Sequence, residues 1–135
     1  MSGTAGWTEL LPPDVRSVAR ARVSAQEVVG PIPWMADRLD DVRLVVSEVV
    51  TNAIRAQGAA STGHDIDLRW DVDEQMVRLV VRDHGGGFEP PTDPPWPGYE
   101  GEGGYGLPLI SALADSVEYA RLDDGTEVAV EWQRR

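Results

Sequence analysis

The chain reads as an α+β protein, a two-layer sandwich whose mostly antiparallel, mixed sheet is covered on one face by three helices. Three observations predict it. Two long stretches with helical apolar spacing fill the first half, two pairs of runs with period-two alternation follow, and one short helical stretch separates those pairs. The order β-α-α-β-β-α-β-β suits helices laid on one face of a sheet.

Residues 7–11 alternate weakly and stop at Pro12-Pro13, which suggests a short first strand or edge segment. Asp14 can cap a helix over 15–29, with Val15, Val18, Val23 and Val28 among its apolar positions and Arg16, Arg20 and Arg22 on the other side. Gly30-Pro31-Ile32-Pro33 ends it. A second helix is expected over 36–56, with Asp37, Asp40 and Asp41 in its first turns, where they suit the helix dipole. Residues 57–64 (QGAASTGH) read as a small-residue loop. The runs 65–72 and 76–82 alternate as Ile66/Leu68/Trp70/Val72 and Val77/Leu79/Val81, the pattern of a hairpin with one buried face. A short helix over 107–114 tolerates Pro108 in its first turn. Finally, 117–122 and 126–133 form a hairpin around Asp123-Asp124-Gly125. The connection 83–103 holds five of the ten prolines and six glycines. A stretch of this length without periodicity is rare in a compact domain unless it is a functional lid or is disordered. One domain over 1–135, with a lid at 88–103, is the expected organisation.

Composition narrows the function classes. At 135 residues the chain can bury a core without staples, and with no cysteine it has neither disulfides nor thiolate metal sites. Acidic residues outnumber basic ones 23 to 12, the net charge is −11, and every basic side chain is arginine. That balance argues against general nucleic-acid or anionic-membrane binding and suits docking on a basic protein surface. No apolar run approaches a membrane span and no signal segment opens the chain, so a cytoplasmic protein is expected. The tryptophans read as core and edge packing. His64 and His84 stand isolated, without metal-ligand spacing.

Three motifs carry chemistry. On the second helix, Glu48, Asn52 and Arg55 fall within an arc of about 60°, roughly opposite the apolar face of Leu39, Val42, Val46, Val49, Val50 and Ala53. Glu48 and Arg55 alone would read as solvated helix charges. Asn52 is a poor interior helix former, and its amide oxygen would suit Mg²⁺, which takes few protein oxygens besides phosphates and water. Glu48, one turn away, could then orient or deprotonate an attacking group.

The second motif is Asp83-His84-Gly85-Gly86-Gly87, directly after a strand. A carboxylate at a buried strand end can accept from an exocyclic amine such as that of adenine, and Gly85 and Gly87 let the backbone approach a ligand. A polyglycine turn with an incidental aspartate reads equally well from this motif alone. The third is Gly103-Gly104-Tyr105-Gly106-Leu107, which opens a helix and could present backbone N–H groups to an anion, or could use glycine for geometry only. Together the three read as a pocket for Mg-ATP.

With these residues in place the chain resembles the GHKL ATPase superfamily, the Bergerat fold, and within it the small anti-sigma-factor serine kinases. The opening residues 11–22 (LPPDVRSVARAR) and the stretch 45–53 (VVSEVVTNA) carry the likeness to that branch. The resemblance implies that Glu48 is the catalytic base, that Asn52 holds Mg²⁺ and that Asp83 binds the adenine amino group. It also implies that Gly85, Gly87, Gly104 and Gly106, with Leu107 and Arg55 nearby, shape the nucleotide cleft, and that Thr126 lies beside adenine. A role follows: binding a sigma factor and phosphorylating a serine on an antagonist protein, usually as a homodimer. Two positions depart from the branch. Ala56 stands where histidine is common and Tyr105 where a basic residue is common, and the lid is acidic. These departures keep open a catalytically inactive nucleotide-binding or protein-interaction module on the same fold. A sensor histidine kinase fragment would need an upstream phospho-accepting histidine, and none precedes His64.

Overall fold

The computed structural model describes residues 5–60, 63–85 and 106–135, with backbone alone at 58–60 and 106–108. Strand β1 (Ala5–Leu11) leads into helix α1 (Arg16–Val29), a 3₁₀ segment (Pro33–Arg38) and helix α2 (Leu39–Ala60). The hairpin β2 (Ile66–Val72) and β3 (Met76–Asp83) follows, then helix α3 (Gly106–Leu113) and the hairpin β4 (Ser116–Leu122) and β5 (Gly125–Gln133). The strands form one sheet in the order β1-β2-β3-β5-β4, and all four pairings are antiparallel. The α+β sandwich expected from the sequence is the architecture observed, with a sheet that is antiparallel throughout the described strands rather than mixed.

Alternation sets the layers. Ile66, Leu68 and Trp70 of β2, Val77, Leu79, Val81 and Asp83 of β3, and Val128, Val130 and Trp132 of β5 are buried. Register aligns them in cross-strand rows such as Leu68–Val81–Val128–Tyr119 and Trp70–Leu79–Val130–Val117. Charged residues such as Arg69, Arg78 and Glu131 occupy the alternate positions, where Arg78 and Glu131 pair at 3.7 Å. From α2 come Val42, Val46, Val49, Val50 and Ala53, joined by a fully buried Val45, because α2 packs on α1 and α3 as well as on the sheet.

The buried tryptophans tie the layers together through their one polar atom. Trp70 Nε1 donates to Ser24 Oγ of α1 at 3.0 Å, and Trp132 Nε1 donates to the Leu113 carbonyl at the end of α3 at 2.9 Å. Trp34 packs against the core as well, whereas Trp7 on edge strand β1 is half-exposed. Trp96 lies outside the described residues. At the start of α1, Asp14 accepts the Arg16 backbone N–H at 2.8 Å, but the N-cap position is Val15, one residue after the cap expected, and it carries no side-chain cap bond.

Several boundaries differ from expectation. The second helix was expected from residue 36, but Pro33 to Arg38 form a 3₁₀ turn and the α-helix proper begins at Leu39. Proline at the start presets the first turn and lacks the N–H that would lengthen it upstream. At its other end α2 continues to Ala60, through half of the stretch read as loop. The expected lid, 88–103, lies outside the described residues. Among the described residues no helix is long and apolar enough to cross a membrane.

Candidate functional site

Asp83 is the last residue of β3, on the face that looks toward the helices, so the alternation that buries Val77, Leu79 and Val81 buries a carboxylate at the strand exit. Its side chain is 3% exposed. Oδ1 accepts the Gly85 N–H at 3.0 Å and the Thr126 N–H at 3.3 Å, which fixes the carboxyl in place and leaves Oδ2 for another donor. Burial raises its pKa above the usual 3.8, against the lowering pull of the two backbone N–H groups and of His84.

The chain leaves β3 under tight constraint. A Cβ on Gly85 would lie 2.2 Å from the Ala56 carbonyl oxygen of α2. One on Gly125 would lie 1.8 Å from the Asp83 carbonyl oxygen. Glycine at both positions therefore lets helix and strands close around Asp83. Gly85→Ala should cost about 2–3 kcal/mol, because both clashing groups are backbone; chemical denaturation of the variant checks it.

Two further groups, not singled out in the sequence, fasten this exit. Gln57 is 1% exposed; its Oε1 accepts the His84 N–H at 2.9 Å and its Nε2 donates to the His64 carbonyl. His84, isolated in sequence, lies 3.1 Å from Asp67 and 3.8 Å from Asp124, with the His64 ring 4.9 Å away centroid to centroid. Arg82 pairs with Asp124 at 2.9 Å and joins the same fastening to the β4–β5 turn. These contacts unite residues 57, 64, 67, 84 and 124, a set that sequence spacing does not reveal.

Asn52 of α2 and Asp83 of β3 line one recess, together with the apolar side chains of Val49, Val81, Ile110 and Val128 and with Tyr119 of β4. Thr126 faces Asp83 across the β3–β5 pair, is fully buried, and its Oγ1 has no hydrogen-bond partner among the described residues. Glu48 sits one turn before Asn52 on α2, half-buried. The neighbouring hydroxyls on that helix are engaged within it: Ser47 Oγ donates to the Arg43 carbonyl at 2.9 Å and Thr51 Oγ1 to the Ser47 carbonyl at 2.6 Å. No such side-chain bond engages Glu48 or Asn52 among the described residues.

The sequence-predicted residues therefore divide. Asn52, Asp83, Gly85 and Thr126 meet at the β3 exit, and Glu48 lies one turn along the same helix. Arg55 is exposed and does not line the recess. Gly106 is the first residue of α3 and Leu107 the second, while Gly87 and Gly104 lie outside the described residues. A larger open groove, about 500 Å³, runs between α1 and the β1–β2 edge past Trp7 and Val23, and no candidate among the described residues lines it.

Comparison with known proteins agrees with this fold. The serine-protein kinase RsbW of Bacillus pumilus is 28% identical over 131 residues, covering 89% of this chain and 80% of that protein. Its Staphylococcus epidermidis counterpart is 29% identical over 128 residues, covering 87% and 80%. Among solved structures, the RsbU and RsbW domains of a Mycobacterium tuberculosis protein superpose with a TM-score of 0.73 at 19% identity, over 97% of this chain and 33% of theirs. The Acinetobacter baumannii histidine kinase AdeS gives 0.56 at 18% identity, over 96% and 68%. These superpositions speak to the fold. The model of the histidine kinase-like ATPase domain matches residues 11–132, from the end of β1 to the end of β5 and so across the helix and strand ends that meet at Asp83; the chain belongs to that family.

Proposed function

We propose that the recess at the β3 exit binds ATP with Mg²⁺ and that the domain is a protein serine kinase of the anti-sigma type. The observation that carries this reading is the buried pair at residues 83 and 126. A desolvated carboxylate, whose recorded hydrogen bonds from the described residues all go to one oxygen, stands beside a buried hydroxyl with no partner among those residues. Leaving such groups unsatisfied is unfavourable, and a base edge that offers an amine next to a ring nitrogen satisfies both. The residues also fit the metal. Asn52 would supply one amide oxygen to Mg²⁺, whose chemistry here is to offset charge on the transferred phosphoryl group.

Glu48 supplies the remaining function. Its carboxylate takes the proton from the attacking serine hydroxyl as that oxygen bonds to the γ-phosphorus and ADP departs with the bridging oxygen. The RsbW relatives bear the name of serine-protein kinases. By that likeness the acceptor is a serine on an antagonist protein, the second partner is a sigma factor, and the work is done in the cytoplasm by a dimer. The net charge of −11 suits docking on a basic protein surface.

A second reading, a nucleotide-binding module without turnover, is favoured by one observation: among the described residues, none of the side chains lining the recess is basic. Titration calorimetry with Mg-ATP tests both. Binding at or below millimolar ATP is expected, and no heat at that concentration would sink both readings; transfer to a serine substrate then separates them.

A further inference from the structure

One polar atom in the recess belongs to none of the sequence motifs: the hydroxyl of Tyr119. Strand β4 alternates its half-buried positions at Val117 and Tyr119, and register places Tyr119 in the row Leu68–Val81–Val128–Tyr119, one row in from Asp83–Thr126 and on the same face of the sheet. Its side chain lines the recess with Asn52 and Asp83 and packs against the core. The hydroxyl oxygen is buried and has no hydrogen-bond partner among the described residues. Burial pushes the phenol up to about 12, so it stays protonated at neutral pH and can donate. Phenylalanine would fill the same space without stranding a buried hydroxyl, so the polar atom calls for a ligand.

Charge and donor count say which kind. Asp83 Oδ1 already receives two N–H groups and Oδ2 can only accept while ionised, so the ligand must bring a donor to the aspartate. The tyrosine needs the opposite, an acceptor. Adenine offers both, an exocyclic amine and ring nitrogens with lone pairs. Guanine offers a carbonyl and a ring N–H along the corresponding edge, the wrong order for an ionised carboxylate.

We propose that Tyr119 is a purine-reading residue, its hydroxyl donating to a ring nitrogen of the adenine whose amine Asp83 accepts. The assignment rests on the ATP reading above and extends it to a side chain on β4.

Calorimetry on the full chain tests it, with ATP and its 1-deaza, 3-deaza and 7-deaza analogues against wild type and Tyr119→Phe. The variant should bind ATP roughly fivefold more weakly, the size of one hydrogen bond. One deaza analogue should show the same loss in wild type and no further loss in the variant. The ligand-free variant should melt at or above the wild-type temperature, since its recess no longer strands a hydroxyl. Equal or tighter ATP binding by Tyr119→Phe, or wild-type affinity for all three analogues, overturns the assignment while leaving the ATP reading intact. Wild type that binds no ATP overturns both. A lower melting temperature with unchanged ATP affinity identifies a structural hydroxyl and also refutes the proposal.

Discussion

Glu48→Gln should bind Mg-ATP as tightly as wild type and transfer phosphate on the order of 100-fold more slowly or worse, the span that a positioned general base contributes. The substitution keeps length and shape and removes only the ability to take a proton. Its neighbours on α2 do not compensate, because Ser47 and Thr51 already spend their hydroxyl protons on helix carbonyls. The prediction is checked by pairing calorimetry with a phosphotransfer assay on an acceptor serine peptide or protein. Turnover equal to wild type would remove Glu48 from the chemistry, and parallel loss of nucleotide affinity would mean that its role is in binding.

Asp83→Asn should separate stability from recognition. The amide oxygen can still accept from Gly85 and Thr126, so the internal bonds at 3.0 and 3.3 Å survive. What changes is the outward atom, which becomes an NH₂ group facing the adenine amine, donor against donor. Losing a hydrogen bond to a charged group costs about 2–3 kcal/mol, so ATP affinity should fall on the order of 100-fold while the preference over GTP disappears. The fold should gain. Native Asp83 has a raised pKa because burial disfavours its charge, so the folded state holds that proton more tightly than the unfolded chain. Wild-type stability therefore falls as pH rises from the usual 3.8 through the raised native value, and then stays lower. The asparagine variant has no such step. Its advantage should be absent in acid and complete at neutral pH. Thermal melts of both proteins across pH 3–8 decide it, and a variant less stable at neutral pH would contradict the argument.

What the sequence disclosed follows from the range of its signals. Period-two alternation located β2, β3 and β5 to within a residue or so, and that parity alone predicted a carboxylate at a buried strand exit. Helical spacing placed Asn52 and Glu48 one turn apart on one stripe of α2, but set that stripe roughly opposite the apolar face, whereas Asn52 lines the recess beside Val49 and Val81. Beyond one element, such patterns are silent. Gln57 sits in a run of small residues that looks like loop, and its two partners, at 64 and 84, come from β2's approach and β3's exit. The helix continues because a buried amide at that turn is satisfied by tertiary contacts, and local propensity does not register them. Tyr119 did carry a usable cue, since it shares the parity of Val117, which marks the covered face. Reading it as a recess residue still required knowing that β5 inserts between β3 and β4. Likewise Gly30-Pro31-Ile32-Pro33 read only as the stop of the first helix, and a 3₁₀ turn from Pro33 leading into α2 depends on how that segment docks.

The double engagement of Gln57 couples the last turns of α2 to the departure of β3 through one amide group, reinforced by the contact of Gly85 with the Ala56 carbonyl. Helix and strand there behave as a single lever. The last turns of the helix and the strand end that carries Asp83 are thereby held at one fixed spacing, so a displacement of either is passed to the other.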